Sequence, residues 1–248
     1  MAKIIAFSNQ KGGVGKTTSV ANVGAALARS GLRVLLVDLD PQANLTHGLG
    51  VTAPGHTVYG ALLQEYSLKA YPLTDRLALV ACSPAFSSFE RTKGDEIDKE
   101  YLLKELLGPV LPKFDYVLLD CPPSLGLITV NAFACANAVL VPLEAQFYAV
   151  AGLDKVIETV GKINRRINPS LQIRGVFFTR YDKRRVLSRD TADGVRERLP
   201  GAVMQATIRE NIALGEAPTQ GLDIFSYAPD SNGAKDYAAL AVEIVERL

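Results

Sequence analysis

The sequence predicts an α/β protein with a doubly wound, mostly parallel sheet flanked by helices, and two patterns support this prediction. Short runs rich in Val, Ile and Leu alternate with longer stretches of helical periodicity, which is typical of βαβ units with right-handed crossovers. The apolar runs are nearly continuous, as expected for strands buried on both faces of a parallel sheet. Ligands of such sheets bind beyond the carboxyl ends of the strands, so functional residues are expected there.

The elements follow one another in a regular order along the chain. The apolar runs predict strands at residues 4–8, 34–39, 77–81, 116–119, 138–142 and 173–179. The periodic stretches predict helices at residues 15–30, 98–111, 124–134, 150–165, 187–199 and 233–247. The charged stretch 90–105 most simply indicates a solvated helix with flanking loops. No linker or repeat divides the 248 residues, so we expect residues 1–248 to form a single domain.

Cysteine usage and hydropathy disfavour a secreted or membrane-spanning protein. Cys82, Cys121 and Cys135 have no CxxC spacing, so we expect reduced, buried thiols and neither disulfides nor a zinc site. The uncharged stretch 121–143 is long enough to span a bilayer, but three prolines and two asparagines interrupt it. The N-terminus has no signal-peptide pattern. We therefore expect a cytoplasmic protein without a membrane partner.

A glycine-rich loop follows the first predicted strand. Its glycines allow the backbone N–H groups to point inward and form an anion nest at the N-terminus of the next helix. We expect Lys16 to reach the β- and γ-phosphates of a nucleotide and the Thr17 hydroxyl to bind Mg²⁺. The ordinary Walker A pattern has glycine where this chain has Gln10, and a second lysine, Lys11, stands beside it. The loop residues expected to bind ATP are Lys11, Gly12, Gly13, Val14, Gly15, Lys16, Thr17 and Thr18.

Aspartates end two further predicted strands. Asp38 and Asp40 are two residues apart and therefore point to the same side of an extended chain. Asp120 follows the four apolar residues 116–119, a Walker B pattern whose aspartate holds Mg²⁺, usually through water. Asp40 and Pro41 also suit the N-cap and first position of a helix, which leaves a purely capping role for Asp40 open.

The KGGVGKTT segment at residues 11–18 resembles the deviant Walker A loop of the ParA/MinD family of P-loop NTPases. The DLDPQ run at residues 38–42 and the CPPS run at residues 121–124 resemble the two switch segments of that family. The resemblance spans nearly the whole chain and is weakest over residues 52–111. It implies that Lys11 reaches the ATP of the partner subunit in an ATP-dependent homodimer, that Asp40 activates the attacking water, and that Asp38 supports the metal shell.

The resemblance also assigns roles to the remaining strand ends. It implies catalytic roles for Lys11, Lys16 and Asp40, and metal binding by Thr17, Asp38 and Asp120. It places Asn211 and Arg209 near the adenine, although Arg209 and Glu210 stand where many relatives have Pro-Arg. Thr179 and Asp182 match a segment that approaches the base in relatives.

Short partition ATPases of this family start directly at the first strand, as this chain does. The resemblance implies an ATP-bound dimer that binds DNA non-specifically on the nucleoid and partitions chromosome or plasmid DNA, while a ParB-like centromere-binding protein stimulates slow hydrolysis. The net charge is +1, yet residues 162–198 contain eleven Lys and Arg against four Asp and Glu, and phosphate contacts would make binding salt-dependent. A solvated basic segment paired with local acids is the alternative. The expected DNA contacts are Lys183, Arg184, Arg185, Arg189 and Lys235.

Other functions of the same fold are weighed against this one. A ParA-like ATPase that positions a protein cargo would carry the same loop. A MinD-like membrane regulator would need a basic amphipathic C-terminal helix, whereas Arg247 is the only basic residue near the C-terminus and follows Glu243 and Glu246. The spacing of Cys121 and Cys135 disfavours a cluster-bridging reductase, and no acceptor motif indicates a small-molecule kinase or ligase.

Overall fold

A computed structural model describes residues 2–145 and 149–248 of the chain. Within these ranges the strands are β1 Lys3–Phe7, β2 Val34–Asp38, β3 Tyr71–Pro72, β4 Leu77–Val80, β5 Tyr116–Asp120, β6 Ala138–Glu144 and β7 Gln172–Thr179. The helices are α1 Lys16–Arg29, α2 Asn44–Gly48, α3 Val58–Leu62, α4 Phe89–Lys93, α5 Leu102–Leu107, α6 Leu127–Cys135, α7 Ala149–Arg166, α8 Val186–Arg198, α9 Ala213–Glu216, α10 Ile224–Tyr227 and α11 Asn232–Arg247. Short 3₁₀ helices cover Pro84–Ser88, Lys99–Tyr101, Leu111–Lys113 and Ala217–Gln220.

The strands form one sheet in the order β3-β4-β2-β5-β1-β6-β7. Its strands pair in parallel except β3, which is antiparallel to β4. The predicted doubly wound, mostly parallel class is therefore confirmed. Because β2, β5 and β1 are neighbours, the loops that follow them emerge side by side at the carboxyl edge, where ligands of such sheets bind.

Two hydrophobic cores cover the two faces of the sheet. Successive side chains of a strand point to opposite faces, so Ile4 and Ala6 of β1 join one core and Ile5 and Phe7 join the other. Helices α5, α6 and α7 contribute to the first core, and α1 and α11 to the second. Burial on both faces explains why the strands appear in the sequence as continuous apolar runs.

Most predicted elements are present, and one helix is wrong in extent. The six predicted strands lie within two residues of observed strands, and five predicted helices lie within three residues of observed ones. Of the predicted helix 98–111, only α5 is α-helical, with short 3₁₀ helices at Lys99–Tyr101 and Leu111–Lys113 on either side, and the left-handed φ of 57° at Asp98 excludes that residue from an α-helix. The single solvated helix expected within residues 90–105 is likewise wrong, since the chain turns between α4 and α5.

The structure also bears on the predictions about the cysteines and about membrane-spanning segments. Cys82, Cys121 and Cys135 are free and buried, as predicted. Burial raises the pKa of the Cys135 thiol to about 12, so this thiol stays protonated near neutral pH. Across the part of the chain that the structure describes, no helix combines the length and the apolar character needed to cross a membrane.

Candidate nucleotide and metal site

The loop between β1 and α1 is shaped by glycines in the left-handed region. Gly13 has φ 73° and Gly15 has φ 85°, a conformation that residues with a Cβ rarely adopt. Gly15 occupies the N-cap position of α1, so the first N–H groups of this helix are left to an external partner. A Cβ built on Gly12 or Gly13 would meet no described atom within 4 Å. The loop therefore has the open backbone and the helix N-terminus of a phosphate-binding nest.

A cavity of about 850 Å³ opens over this loop. It brings together the predicted phosphate loop apart from Lys11, one strand-end aspartate, and three of the four residues predicted to lie near the base. The predicted residues that line it are Gly12, Gly13, Val14, Gly15, Lys16, Thr17, Thr18, Asp40, Thr179, Arg209 and Asn211. Its volume is in the range of pockets that bind small molecules and cofactors.

Lys16 is held inside the site by its surroundings. Its side chain is buried and its ammonium donates a hydrogen bond to the Lys11 carbonyl oxygen at 3.2 Å. Burial lowers the pKa of Lys16, while the negative charges of Asp120 and Asp40 oppose that shift. A buried ammonium at a helix N-terminus provides a localised positive charge for an anionic ligand.

Lys11 pairs with Glu144, the last residue of β6. The Lys11 ammonium lies 3.2 Å from Glu144 Oε2, and the Lys11 backbone N–H donates to Asn9 Oδ1 at 3.0 Å. Arg180 Nη1 lies 3.5 Å from the other Glu144 oxygen. Arg180 has a left-handed φ of 48°, a backbone strain that is common at functional sites. No sequence pattern pointed to Glu144 or Arg180, although both stand at strand ends.

Asp38 is a buried carboxylate with a full set of donors. It is the last residue of β2, in register with Asp120 on β5. Asp38 Oδ2 accepts hydrogen bonds from the Thr46 hydroxyl at 2.6 Å and the Thr46 N–H at 2.9 Å, and Oδ1 accepts from the Asp40 N–H at 3.1 Å. Burial raises the pKa of Asp38 to about 6 against these hydrogen bonds. The carboxylate thus ties the switch segment to α2.

Asp120 is as deeply buried as Asp38 but differs from it in hydrogen bonding. Among the described residues, neither Asp120 oxygen has a hydrogen-bond partner of acceptable geometry. Burial raises the pKa of Asp120 well above its ordinary value, and the charge of Asp38 raises it further, while the Thr17 hydroxyl and the Lys16 ammonium favour the ionised form. A buried carboxylate without a partner is costly unless a cation pairs with it. Asp120 and the Thr17 hydroxyl offer the oxygen ligands that Mg²⁺ prefers.

Asp40 lies on the wall of the cavity and does not cap a helix. Its Oδ1 accepts from the Gln42 N–H at 3.0 Å and its carbonyl oxygen accepts from the Ala43 N–H at 2.8 Å, which closes a turn. Helix α2 begins only at Asn44, after Ala43. The interpretation of Asp40 as the N-cap of a helix is therefore wrong.

The residues predicted to lie near the base are engaged by neighbours. The Arg209 guanidinium contacts both Asp236 oxygens, the shortest distance being 2.6 Å. Asn211 Oδ1 accepts from the Ala213 N–H at 2.9 Å. The Thr179 hydroxyl donates to the Val14 carbonyl at 3.0 Å and so fixes the phosphate loop to β7. Tyr237 also lines this cavity, although no sequence pattern pointed to it.

The predicted DNA contacts lie outside the cavity lining, on exposed positions. Arg184 and Arg185 pair with Asp182 at 2.9 Å and 3.8 Å. The Arg184 guanidinium lowers the pKa of Asp182 to about 2, so this carboxylate is ionised near neutral pH. Asp182, also predicted to approach the base, pairs with these arginines and is not among the described residues that line the cavity. The side chains of Lys183, Arg189 and Lys235 are exposed.

The glycine nest, the two lysines and the strand-end aspartates define a P-loop NTPase of the deviant Walker A type. A family model described as AAA domain matches residues 2–173. The chain is 42% identical over 250 residues to the chromosome-partitioning ATPase Soj of Treponema pallidum, covering 100% of this chain and 98% of that protein. The chain thus belongs to the ParA/Soj family of partition ATPases.

Solved structures share the fold over nearly the full length. A protein described as cobyrinic acid a,c-diamide synthase from Mycobacterium smegmatis, with a bound ATP analogue and magnesium, matches with a TM-score of 0.88 and 33% identity, covering 99% of this chain and 95% of that one. The cell division ATPase MinD of Pyrococcus furiosus matches with a TM-score of 0.81 and 29% identity, covering 99% of each chain.

Proposed function

We propose that this chain is a Mg-ATP-dependent dimerising switch ATPase that binds DNA non-specifically and partitions chromosome or plasmid DNA with a ParB-like partner. Residues 1–248 act as one ATPase domain. The observation that carries the proposal is the buried Asp120 carboxylate, which interacts with the Thr17 hydroxyl of the phosphate loop but has no hydrogen-bond partner of acceptable geometry among the described residues. The Soj relative, at 42% identity, favours partition over the synthase activity named for the structure matched at 33%.

In this proposal the cavity holds the triphosphate of ATP. The backbone N–H groups of the loop and the Lys16 ammonium bind the phosphates, and Asn211 contacts the base more readily than Arg209, whose guanidinium is engaged by Asp236. Thr17 and Asp120 would hold Mg²⁺, and Asp38 would support the metal shell. The metal, when bound, neutralises charge on the triphosphate, which is the main requirement of phosphoryl transfer.

Hydrolysis requires a water in line with the γ-phosphate. Asp40 is the carboxylate on the cavity wall, and we assign it the orientation of this water and the acceptance of its proton. Lys11 completes the charge around the γ-phosphate of the partner subunit's ATP after leaving Glu144. Turnover is slow in the isolated protein because this arrangement is completed only when the ParB-like partner binds.

DNA binding is assigned to the exposed basic positions Lys183, Arg184, Arg185, Arg189 and Lys235. The ion pairs of Arg184 and Arg185 with Asp182 reduce the positive charge available there, so Lys183 and Arg189 are expected to contribute most. The ATP-bound protein is then found on the nucleoid. Such contacts with phosphates carry no sequence preference.

The central test is the substitution Asp40→Ala. We expect ATP hydrolysis to fall about 10²-fold or more, the range that a general base contributes, while ATP-dependent dimerisation, followed by light scattering, persists. Glu210→Ala is the matched control, because Glu210 also lines the cavity with an exposed carboxylate. Wild-type turnover in the Asp40 variant would refute its assigned role, and absence of Mg-dependent ATP affinity in the folded wild type would refute the ATPase itself.

DNA binding is tested by a salt series with and without ATP. The combined change of Lys183 and Arg189 to Ala is expected to reduce the slope of log affinity against log salt by about 1 for each lost phosphate contact. Lys69→Ala is the control, since Lys69 is an exposed cation far from this segment in sequence. Binding that ignores both ATP and salt would contradict the proposal and favour a protein cargo, and ATP-dependent binding to anionic lipid vesicles would favour a MinD-like role.

A further inference from the structure

A buried chain of hydrogen bonds leads from the end of β4 to the switch segment. The Cys82 N–H donates to the Thr46 hydroxyl oxygen at 2.9 Å, and that hydroxyl lies 2.6 Å from Asp38 Oδ2. The other Asp38 oxygen accepts from the Asp40 N–H at 3.1 Å. Cys82, Thr46 and Asp38 are buried, at 1%, 0% and 0% exposure. Water therefore does not compete for these hydrogen bonds.

The direction of each hydrogen bond follows from the donors present. A hydroxyl carries one proton and two lone pairs. Because the Thr46 oxygen accepts from a backbone N–H, its single proton is directed to Asp38. The Thr46 N–H adds a second hydrogen bond to the same carboxylate oxygen at 2.9 Å. Hydrogen bonds to a carboxylate are short and directional, so the Asp38 side chain has one orientation in this network.

The consequence reaches the cavity through the backbone. Asp38 fixes the N–H of Asp40, whose carboxylate lies on the cavity wall. Thr46 itself belongs to α2, which also places Asn44 and His47 on that wall. Thr46 is not among the described residues that line the cavity. The hydrogen-bond route from its hydroxyl to the cavity wall runs through Asp38 to the Asp40 N–H.

We propose that Thr46 is a positioning residue for ATP hydrolysis, whose hydroxyl sets the position of Asp40 through Asp38. The inference rests on the proposed ATPase function and adds a residue outside the cavity to it. Hydrolysis is sensitive to sub-ångström placement of the group that orients the water, whereas binding of the phosphates depends on the loop and Lys16. Loss of the Thr46 hydroxyl should therefore act on kcat and spare the affinity for ATP.

The test compares Thr46→Val, which keeps the shape and removes the hydroxyl, with Thr46→Ser, which keeps the hydroxyl. We expect Thr46→Val to lower kcat about 10-fold or more and to change the Kd for ATP less than about 3-fold, and Thr46→Ser to restore kcat to within about 3-fold of wild type. Thr191→Val is the control, because it removes another buried threonine hydroxyl in α8. Thr46→Ala takes the place of Thr46→Val if the latter does not fold.

A double substitution separates positioning from general stability. In the Asp40→Ala background, Thr46→Val should have no further effect on kcat, because residues that act as one unit are not additive. Additive losses, equal losses in Thr46→Ser and Thr46→Val, or an unchanged kcat in Thr46→Val would each overturn the proposal. Wild-type turnover in Asp40→Ala alone would instead defeat the catalytic assignment, so the two failures are distinguishable.

Discussion

Asp38 and Asp120 lie side by side on β2 and β5, and replacing each with Asn provides a sensitive test of the site. Both carboxylates are fully buried, but Asp38 accepts three hydrogen bonds while the Asp120 oxygens have no partner among the described residues. Asp120→Asn removes a buried charge and breaks no hydrogen bond of acceptable geometry among the described residues, and the cost of burying the charge outweighs the attraction of the carboxylate to the Thr17 hydroxyl and the Lys16 ammonium. We therefore expect this variant to be more stable than the wild type in the absence of ligand.

The magnitude follows from the cost of an unsatisfied buried group, about 1–3 kcal/mol and more when the group is charged. Asp38→Asn also removes a buried charge, but its amide nitrogen must face either the Thr46 donors or the Asp40 N–H. At least one buried donor then loses its acceptor, which offsets the gain. We expect the Asp120 variant to exceed the Asp38 variant by about 1–3 kcal/mol in the free energy of unfolding, or roughly 2–12 °C in Tm for a chain of this length.

The dependence on pH has a defined sign. The pKa of Asp120 is raised above its unfolded value near 3.8 because burial disfavours the charge, so the folded state binds this proton more tightly than the unfolded state does. Stability from this group is complete below the unfolded pKa and is lost as pH rises through the folded pKa. The stabilisation by Asp120→Asn should consequently be larger at about pH 8 than at about pH 5.

Urea unfolding followed by circular dichroism, in EDTA and then with Mg²⁺ and a non-hydrolysable ATP analogue, measures both consequences. The wild type should gain about 2.7 kcal/mol at a ligand concentration of 100 Kd, and the Asp120 variant should lose most of this gain. An Asp120→Asn variant that is less stable than the wild type in EDTA at about pH 8 would refute the reasoning, because the carboxylate would then have a partner in the folded protein.

The remaining predictions concern the loop and its lysine. Gly15→Ala forces a Cβ into φ 85°, which should cost roughly 1–2 kcal/mol in the free energy of unfolding and abolish nucleotide binding, as measured by fluorescence titration. The control Gly31→Ala, at φ 95°, should have a similar cost in stability and normal nucleotide binding. Equal nucleotide binding by the two variants would contradict the role of the loop. Glu144→Gln removes the charge that holds Lys11, so light scattering should detect dimers at a lower ATP concentration, and an unchanged midpoint would show that Glu144 does not compete for Lys11.

The strands of the sheet could be predicted because the apolar pattern that indicates them is local in the sequence. Burial on both faces produces apolar runs that are visible without any tertiary information, and this is why the major strands were located to within two residues. Strand β3 was not predicted because it is an antiparallel edge strand of only two residues, one of them a proline, and shows no periodicity in the sequence. Helix 98–111 was predicted too long because the periodicity of the apolar residues does not separate an α-helix from the short 3₁₀ helices at Lys99–Tyr101 and Leu111–Lys113.

The residues of the candidate site likewise divide into those that a local sequence pattern predicts and those that depend on contacts between distant parts of the chain. The phosphate loop is a contiguous motif, and Asp38 and Asp120 end strands that the fold makes neighbours, so local pattern and topology sufficed. The Lys11–Glu144 ion pair and the Thr46–Cys82 hydrogen bond join residues 133 and 36 positions apart. Such pairs depend on the register of strands and the angle of helices, which no local pattern in one sequence determines.

The opposite charges of the buried Lys16 and Asp120, which compensate each other only in part, restrict the kind of ligand that fits. A bare anion would satisfy the Lys16 ammonium and the helix N-terminus but would increase the repulsion already felt by Asp120. A bare cation would satisfy Asp120 and repel Lys16. A metal–polyphosphate complex brings both charges in the order in which the site presents them, with the cation towards Thr17 and Asp120 and the anion towards the loop. Affinities for the metal and for the nucleotide should therefore each depend on the presence of the other, as reciprocal coupling requires.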